Sequence, residues 1–405
     1  MRSGQIYLDY NGTTPVDPRV VDAMLPYLRE HFGNPSSTHH YGQEPRHALA
    51  RARDQLAGLV GGTADEITFT ASGSEADALA IRGAVLAGRL DGAHIITQDT
   101  EHPAVLETCR SLQRLHGVDV TYLPVDQHGR VDPQAVADAI TARTTLVSIM
   151  FANNETGTLQ PVREIAEVAH RHGVLVHTDA AQGLGKMPVD VRRLGVDLLT
   201  VVGHKMYAPK GIGALWVRTG GRLEPIAYGG GQERDLRAGT ENVALAVALG
   251  AAAELSAADL TTGEADRLRG LRDELSHRLA DRLPGRVRLN GHPTERLPNT
   301  VNFTIASPAG DQLLAAIPGI AASTGSACHA GSTEPSPVLA AMARDPSSTA
   351  HEGDRVPSAI RFSLGRWTTA DDISRAATLI AEGATVTRQD SRPSDGLAPA
   401  TPSGP

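Results

Sequence analysis

Short apolar runs rich in Val, Ile and Leu alternate along the chain with amphipathic stretches of ten to eighteen residues. That alternation is the pattern of strands and covering helices in an α/β sheet. Strands are expected at 66–70, 93–98, 118–123, 145–151, 173–178, 197–202 and 212–217, with helices over 73–88, 103–116, 132–141 and 161–172. Several of these helices open on Pro or Ser, as helix starts often do. A mostly parallel sheet should result. From about 258 the texture changes to a charged helix (EADRLRGLRDELSHRLADRL) and shorter strands at 286–290, 299–304 and 359–364, which reads as a second, smaller α+β domain. The stretch 389–405 ends in SRPSDGLAPATPSGP, too poor in apolar residues to offset its ordering entropy, and is expected to be a disordered tail.

Composition narrows the function classes. The 405 residues carry 38 Lys and Arg against 46 Asp and Glu, a net charge of −8, with no runs of basic residues. This balance argues against nucleic acid or an anionic membrane as the main partner. Two cysteines allow at most one bridge, which excludes a disulfide-built scaffold and a zinc site made of cysteines alone. The start MRSGQIYLDYNGTT has no apolar run resembling a signal peptide, and no eighteen apolar residues occur together, so the expected location is the cytoplasm.

In open parallel sheets ligands sit beyond the carboxyl ends of the strands, and here those positions are unusually polar. They read Ala71-Ser72-Gly73-Ser74-Glu75, Thr100-Glu101-His102-Pro103, Asn153-Asn154-Glu155, Asp179-Ala180-Ala181-Gln182 and Gly203-His204-Lys205. The first opens a helix, where small residues leave backbone N–H groups free to cradle a phosphate at the positive end of the dipole, although alone it reads more readily as a plain Ser N-cap. Taken singly, Asp179 and Lys205 read as ion-pair or capping residues. Together with a phosphate cradle and a histidine they match the needs of pyridoxal phosphate: a lysine for the Schiff base, a carboxylate for the pyridinium nitrogen and a helix start for the phosphate. Competing cofactors fit worse. Gly185-Lys186 lacks the Walker spacing, with Ala180 and Met187 at its key positions, and no GxGxxG opens a helix after the first strand. The pairs His39-His40 and His170 with His172 lack a metal-ligand frame and read as surface or loop residues.

The two cysteines separate clearly. Cys109 falls inside an amphipathic helix, where a buried thiol is the expected state. Cys328 lies in the small-residue run 323–332 next to His329, an accessible setting suited to a nucleophile. Arg361, alternating with apolar residues on a strand, offers either a bidentate grip on a substrate carboxylate or a structural salt bridge.

These residues resemble a known family, the pyridoxal-phosphate-dependent cysteine desulfurases of the NifS and IscS type, with the selenocysteine lyases close by. The likeness runs from Tyr7-Leu8-Asp9-Tyr10 through Phe32-Gly33-Asn34-Pro35-Ser36-Ser37, Asn153-Asn154-Glu155, His177-Thr178-Asp179, Gly203-His204-Lys205 and Gly325-Ser326-Ala327-Cys328 to Arg361-Phe362-Ser363-Leu364-Gly365-Arg366. It implies the fold-type I, aspartate-aminotransferase-like architecture in a homodimer, with a large cofactor domain over 14–257 and a small domain built from 1–13 and 258–388. By position, it implies that Lys205 carries pyridoxal 5'-phosphate, His102 stacks on its ring, Asp179 meets the ring nitrogen, and Gln182 and Asn154 reach the ring oxygen and the substrate. Gly73, Ser74 and His204 would hold the phosphate, with Thr240 reaching in from the other subunit. Arg361 would grip the carboxylate of L-cysteine, and Cys328 would accept its sulfur for delivery to a sulfur-acceptor protein, whether for iron–sulfur cluster assembly, tRNA thiolation or another route.

There are departures from the pattern. Many cysteine desulfurases have Ser three residues before the lysine, where this chain has Val202, as the lyases do. The lyases also resemble it in Gly229-Gly230-Gly231-Gln232-Glu233-Arg234 and Gly239-Thr240-Glu241-Asn242, whereas Pro103 and Ser326-Ala327-Cys328 are desulfurase-like. Selenocysteine lyase and a sulfur-binding scaffold with little turnover therefore stand beside desulfurase as readings. The stretch 343–357 is longer and more polar than the resemblance suggests and reads as a partner-facing loop.

Overall fold

A computed structural model describes residues 4–88, 90–306, 310–325, 336–344 and 359–389. Its strands in chain order are β1 (Ile6–Tyr7), β2 (Ile67–Thr70), β3 (His94–Gln98), β4 (Asp119–Leu123), β5 (Thr144–Ser148), β6 (Leu175–Asp179), β7 (Leu198–Val202), β8 (Gly213–Val217), β9 (Val287–Asn290), β10 (Thr300–Ile305), β11 (Ile320–Ala321) and β12 (Ala359–Ser363). Seven of them form one sheet in the order β2-β8-β7-β6-β5-β3-β4. The expected parallel character holds for β3 to β7, while β8 runs antiparallel to both of its neighbours, so the sheet is mixed. Strands β2, β3, β7 and β8 are buried along their whole length, which explains the near-continuous apolar sequences of β7 and β8.

The strand expected at 145–151 is assigned only as far as Ser148. Beyond it, Ile149 and Phe151 still donate to the carbonyls of His177 and Asp179 on β6, but the Met150 N–H turns to the Glu101 carboxylate (2.6 Å), which ends the pairing with β3. A side chain takes over a ladder position, and it does so at the site described below.

Two long helices carry no clear period in the sequence. His40–Val60 contains Pro45, yet its buried face of Ala48, Leu49, Ala52, Leu56 and Val60 packs on Val243–Thr261. The latter is long and apolar enough to cross a membrane by length and composition, but half of it is buried in this packing. The two backbones approach so closely that a Cβ at Gly250 would stand 2.7 Å from Ala52 Cα. Such close approach needs small residues and hides the amphipathic period.

A separate apolar cluster joins Ile6 and Leu8 to Leu268, Leu275, Leu279, Val301, Phe303, Ile360, Phe362 and Ile380. It is built on the antiparallel sheet β12-β10-β9 and on β1, which pairs in parallel with β11. The chain start is thus tied to residues more than three hundred positions away, and the polar segment after β1 is laid across the carboxyl ends of the large sheet.

Candidate active site

Strand ends predicted to share a crevice do so. Ser72, Gly73, Ser74, His102, Asn154, Asp179, Gln182, His204, Lys205 and Arg361 line one cavity of about 290 Å³, joined by Asn11, Gly12 and Asp77. A larger, more open groove is lined by Asp126, Arg130, Asp132, Glu164 and Arg344 and includes neither His102, Asp179 nor Lys205.

Each side chain arrives by local rules. Ser72 caps the helix Gly73–Ala87 by accepting from Glu75 N, so the helix start faces the cavity as expected. His102 caps Pro103–His116, with Nδ1 accepting from Ala104 N (3.1 Å), which places the ring proton on Nε2. Asp179 ends β6 and accepts from Ala181 N on Oδ1 (2.9 Å). Lys205 closes the single 3₁₀ turn Gly203–Lys205 after β7. Two residues later Tyr207 adopts a left-handed φ of 67°, held by Thr14 Oγ1 on its N–H and by Arg366 N on its hydroxyl. A bulky residue there costs energy and persists only when its surroundings over-determine it.

The cationic wall is organised by Asn11, a residue to which the sequence analysis gave no role. Lys205 Nζ donates to the carbonyls of Asn11 (2.6 Å) and Gly12 (2.7 Å). Lys186 Nζ donates to Asn11 Oδ1 (3.1 Å), which also accepts from Asn299 Nδ2 (3.2 Å). Asn11 Nδ2 donates to Thr300 Oγ1 (2.8 Å) and to the carbonyl of Asn154 (3.2 Å). Arg361 is 1% exposed; it donates to the same Asn154 carbonyl (3.0 Å) and to Asp9 Oδ1 (2.6 Å). Arg361 thus forms the salt bridge of its structural reading and also lines the cavity, where a substrate carboxylate would meet it. His204 Nδ1 lies 3.1 Å from Thr13 Oγ1, and burial together with Lys205 lowers its pKa to about 4, so the ring is neutral near pH 7.

Behind Asp179 lies an acidic floor. Asp77 is buried on the helix Gly73–Ala87, and its pKa is pushed up by burial and by the charge of Asp179. Asp179 is also raised by burial, but His102, the Ala181 N–H and Lys205 pull the other way, so of the two acids Asp179 is the one whose charged form is favoured. Burial raises Glu101 to about 8 although it accepts from Met150 N and Gln98 Nε2. His177 bridges Ser148 Oγ (2.9 Å) and Thr200 Oγ1 (3.1 Å), and burial lowers its pKa to about 3.

Val202 packs on the phosphate-cradle candidate, and a Cβ on Gly73 would stand 2.4 Å from Val202 Cγ2, so glycine is obligatory opposite this valine. Thr240 is exposed and outside the cavity, on a segment reached through three successive left-handed non-glycine residues, Glu233, Arg234 and Asp235, with Glu233 gripped by Arg53. Cys109 is fully buried, and burial raises its thiol to about 12. Cys328, His329 and 345–357 lie outside the described residues. The chain before Cys328 is tied to the site where Arg361 N donates to Ser323 O (2.7 Å), and after it Ser336 Oγ donates to Glu155 Oε2 (2.5 Å). His170 pairs with Asp197 and His40 stacks on Tyr41, both away from the cavity.

A profile of the aminotransferase class-V family matches residues 6–376. The chain is 45% identical over 376 residues to the cysteine desulfurase IscS of Dictyoglomus turgidum, covering 91% of this chain and 92% of that protein. A solved NifS-like protein superposes with a TM-score of 0.85 at 33% identity over 94% of this chain and all of that one. A solved structure of SspA in complex with cysteine gives 0.77 at 34% identity over 90% of this chain and all of that one. With the mixed sheet, the smaller domain and the convergent strand ends, these matches show that the chain belongs to the class-V aminotransferases and, within them, to the NifS/IscS-type cysteine desulfurase family.

Proposed function

We propose that this chain binds pyridoxal 5'-phosphate in the cavity and converts L-cysteine to L-alanine, leaving the sulfur as a persulfide on Cys328 for a sulfur-acceptor protein. The observation that supports this most is the meeting of an amine, a carboxylate, an imidazole, a helix start and a buried guanidinium in one cavity. The fit is chemical as well as spatial: Asp179 is a buried carboxylate beside Lys205, and Gly73 and Ser74 open a helix at the cavity, with its first N–H groups there. Lys205 Nζ would hold the cofactor, Asp179 its ring nitrogen, His102 its face, and Gln182 and Asn154 its ring oxygen and the substrate. Gly73, Ser74 and His204 would hold the phosphate. When bound, pyridoxal phosphate supplies an electron sink for the pair left at the substrate α-carbon.

Arg361 orients the substrate carboxylate by the donors left beyond Asp9 and Asn154, and its burial keeps water from competing. Lys205 Nζ takes the α-proton and later returns one. The Cys328 thiolate then attacks the substrate sulfur: the S–S bond forms as the C–S bond breaks, and the bonding pair stays with the carbon, which is protonated and leaves in alanine. Thiol plus cysteine thus becomes persulfide plus alanine, without an outside oxidant.

The exposed rings of Phe32, Tyr41 and Tyr228, and the outward placement of Thr240, support a homodimer in which Thr240 completes the phosphate site of the second copy. Cys328→Ala should keep the cofactor's visible absorption yet form no persulfide; undiminished persulfide would sink the role given to Cys328. Lys205→Ala should lose borohydride-stable attachment of the cofactor. Val202 favours a second reading, selenocysteine lyase, and alanine release from selenocysteine but not cysteine by Cys328→Ala would support it.

A further inference from the structure

Only three of the 38 basic side chains are lysines: Lys186, Lys205 and Lys210. A chain that meets nearly all its needs for positive charge with arginine keeps lysine where an amine is wanted, and two of the three meet at Asn11. The mechanism above does not use Lys186. It lies in the turn after β6, four residues beyond Gln182, and is 7% exposed. Its Nζ donates to Gln182 Oε1 (2.5 Å) and Asn11 Oδ1 (3.1 Å), both uncharged amide oxygens. Burial, with Lys205 and Arg361 nearby, holds its pKa well below the usual lysine value. A desolvated amine that gains no carboxylate partner is an expensive way to fill space, and an apolar side chain would fill it more cheaply.

The Gln182 carboxamide shows what the amine achieves. Its Nε2 donates to the Asn11 carbonyl (3.2 Å) while its Oε1 accepts from Lys186, so both ends of the amide are specified. A flipped amide would set Oε1 against the Asn11 carbonyl, two acceptors facing each other. With Oε1 engaged by Lys186, the second N–H of Nε2 remains for the cavity that Gln182 lines. We propose that Lys186 is a positioning residue that locks the Gln182 carboxamide so that its N–H, and not its oxygen, serves the phenolic oxygen of the cofactor held by Lys205. This inference rests on the assignment of Gln182 to the ring oxygen made above.

The arrangement has a spectroscopic consequence. A donor aimed at the phenolic oxygen favours the form in which that oxygen carries full negative charge, so the visible band of the lysine-bound cofactor titrates at lower pH. Losing the donor raises the midpoint. The charged or titratable groups around the pair, Lys205, His204, His102, Asp77, Asp179 and Arg361, stay the same in every variant compared. In the full-length, cofactor-loaded protein, Lys186→Met should raise the midpoint by about one pH unit, a tenfold change in the equilibrium. Gln182→Leu should raise it as much, and the double variant no further than the larger single shift, since the two act through one hydrogen bond. A side chain that merely fills space would lower the melting temperature and leave the midpoint unmoved.

Should Lys186→Met fail to fold, Lys186→Gln takes its place under the same expectations, because its own amide can turn and no longer specifies that of Gln182. If Gln182→Leu shifts the band while the Lys186 variant titrates like wild type, the proposal is overturned and the ring-oxygen assignment stands. If Gln182→Leu leaves the midpoint unmoved, the assignment itself fails and the proposal falls with it.

Discussion

The cavity has two polar walls built in opposite ways. On the side of Asn11, nitrogen donors are surrounded by oxygen: Lys205 rests on two backbone carbonyls, Lys186 on two amide oxygens, and Arg361 on a carbonyl and the Asp9 carboxylate. On the floor, carboxyls are packed with too few partners. Asp77 Oδ1 and Glu101 Oε2 accept no hydrogen bond among the described residues, and the pKa values of both groups are raised. A buried carboxyl without a cation lowers its cost by staying protonated, whereas a buried arginine has no such escape and must be paired. The floor can therefore hold one negative charge, on Asp179, surrounded by neutral acids, and the wall holds positive charge that a substrate carboxylate can meet.

The sharpest break of this contrast is to remove the single charge. Asp179→Asn leaves size and burial unchanged, and alanine formation should fall by about 10²- to 10³-fold in kcat. A loss under about fivefold would show that the floor's charge is not what the reaction uses. On the wall, Arg361→Lys keeps the charge but loses the planar fork, and its effect should appear mainly in KM for cysteine, raised about tenfold or more, with kcat less affected. A pure kcat loss would place Arg361 in structure alone.

The residues with paired, exposed-edge chemistry were legible because they follow apolar strands directly: His102, Asp179 and Lys205 stand where a parallel sheet presents ligands. The wall's organiser was not. Asn11 meets Lys205 and Lys186 across 194 and 175 positions of sequence, and nothing in a local pattern announces such a meeting. Lys186 drew notice only as a failed phosphate-loop lysine, although the scarcity of lysine was a usable signal. Asp77 reads as one polar residue in a helix, and only the packing of that helix against β7 places it beneath Asp179. The antiparallel β8 was hidden for the same reason: buried strands look alike whichever way they run.

A smaller effect tests the floor through stability. The folded-state pKa of Glu101, about 8, lies above its ordinary value of 4.5, so its contribution is fully present below pH 4.5 and is lost as pH rises through about 8. His177 works in the other direction: with its folded pKa lowered to about 3, its contribution is present above its ordinary 6.5 and is lost as pH falls toward 3. Glu101→Gln cannot ionise and keeps an acceptor for Met150 N. Its melting temperature should gain on wild type by about 3 °C or more between pH 5 and 8. A constant difference across that range would mean that Glu101 is ionised when folded, and the floor would then hold more than one charge.

The smallest expected effect is the most exacting. If Asp77 carries the proton, Asp77→Asn exchanges one neutral group for another of nearly the same shape, and Thr200 beside it still finds a polar partner. Activity at neutral pH should stay within about twofold of wild type, against the 10²-fold or greater loss expected one carboxyl away at Asp179. Asp77→Leu separates charge from hydrogen bonding: it is also neutral, but leaves the polar atoms around it unpaired and should cost about 1–3 kcal/mol in stability. A 10²-fold activity loss in Asp77→Asn, with its fold and cofactor absorption intact, would move the negative charge from Asp179 to Asp77. The division of labour between the two acids would then be reversed, because only an ionised Asp77 could lose so much to an amide.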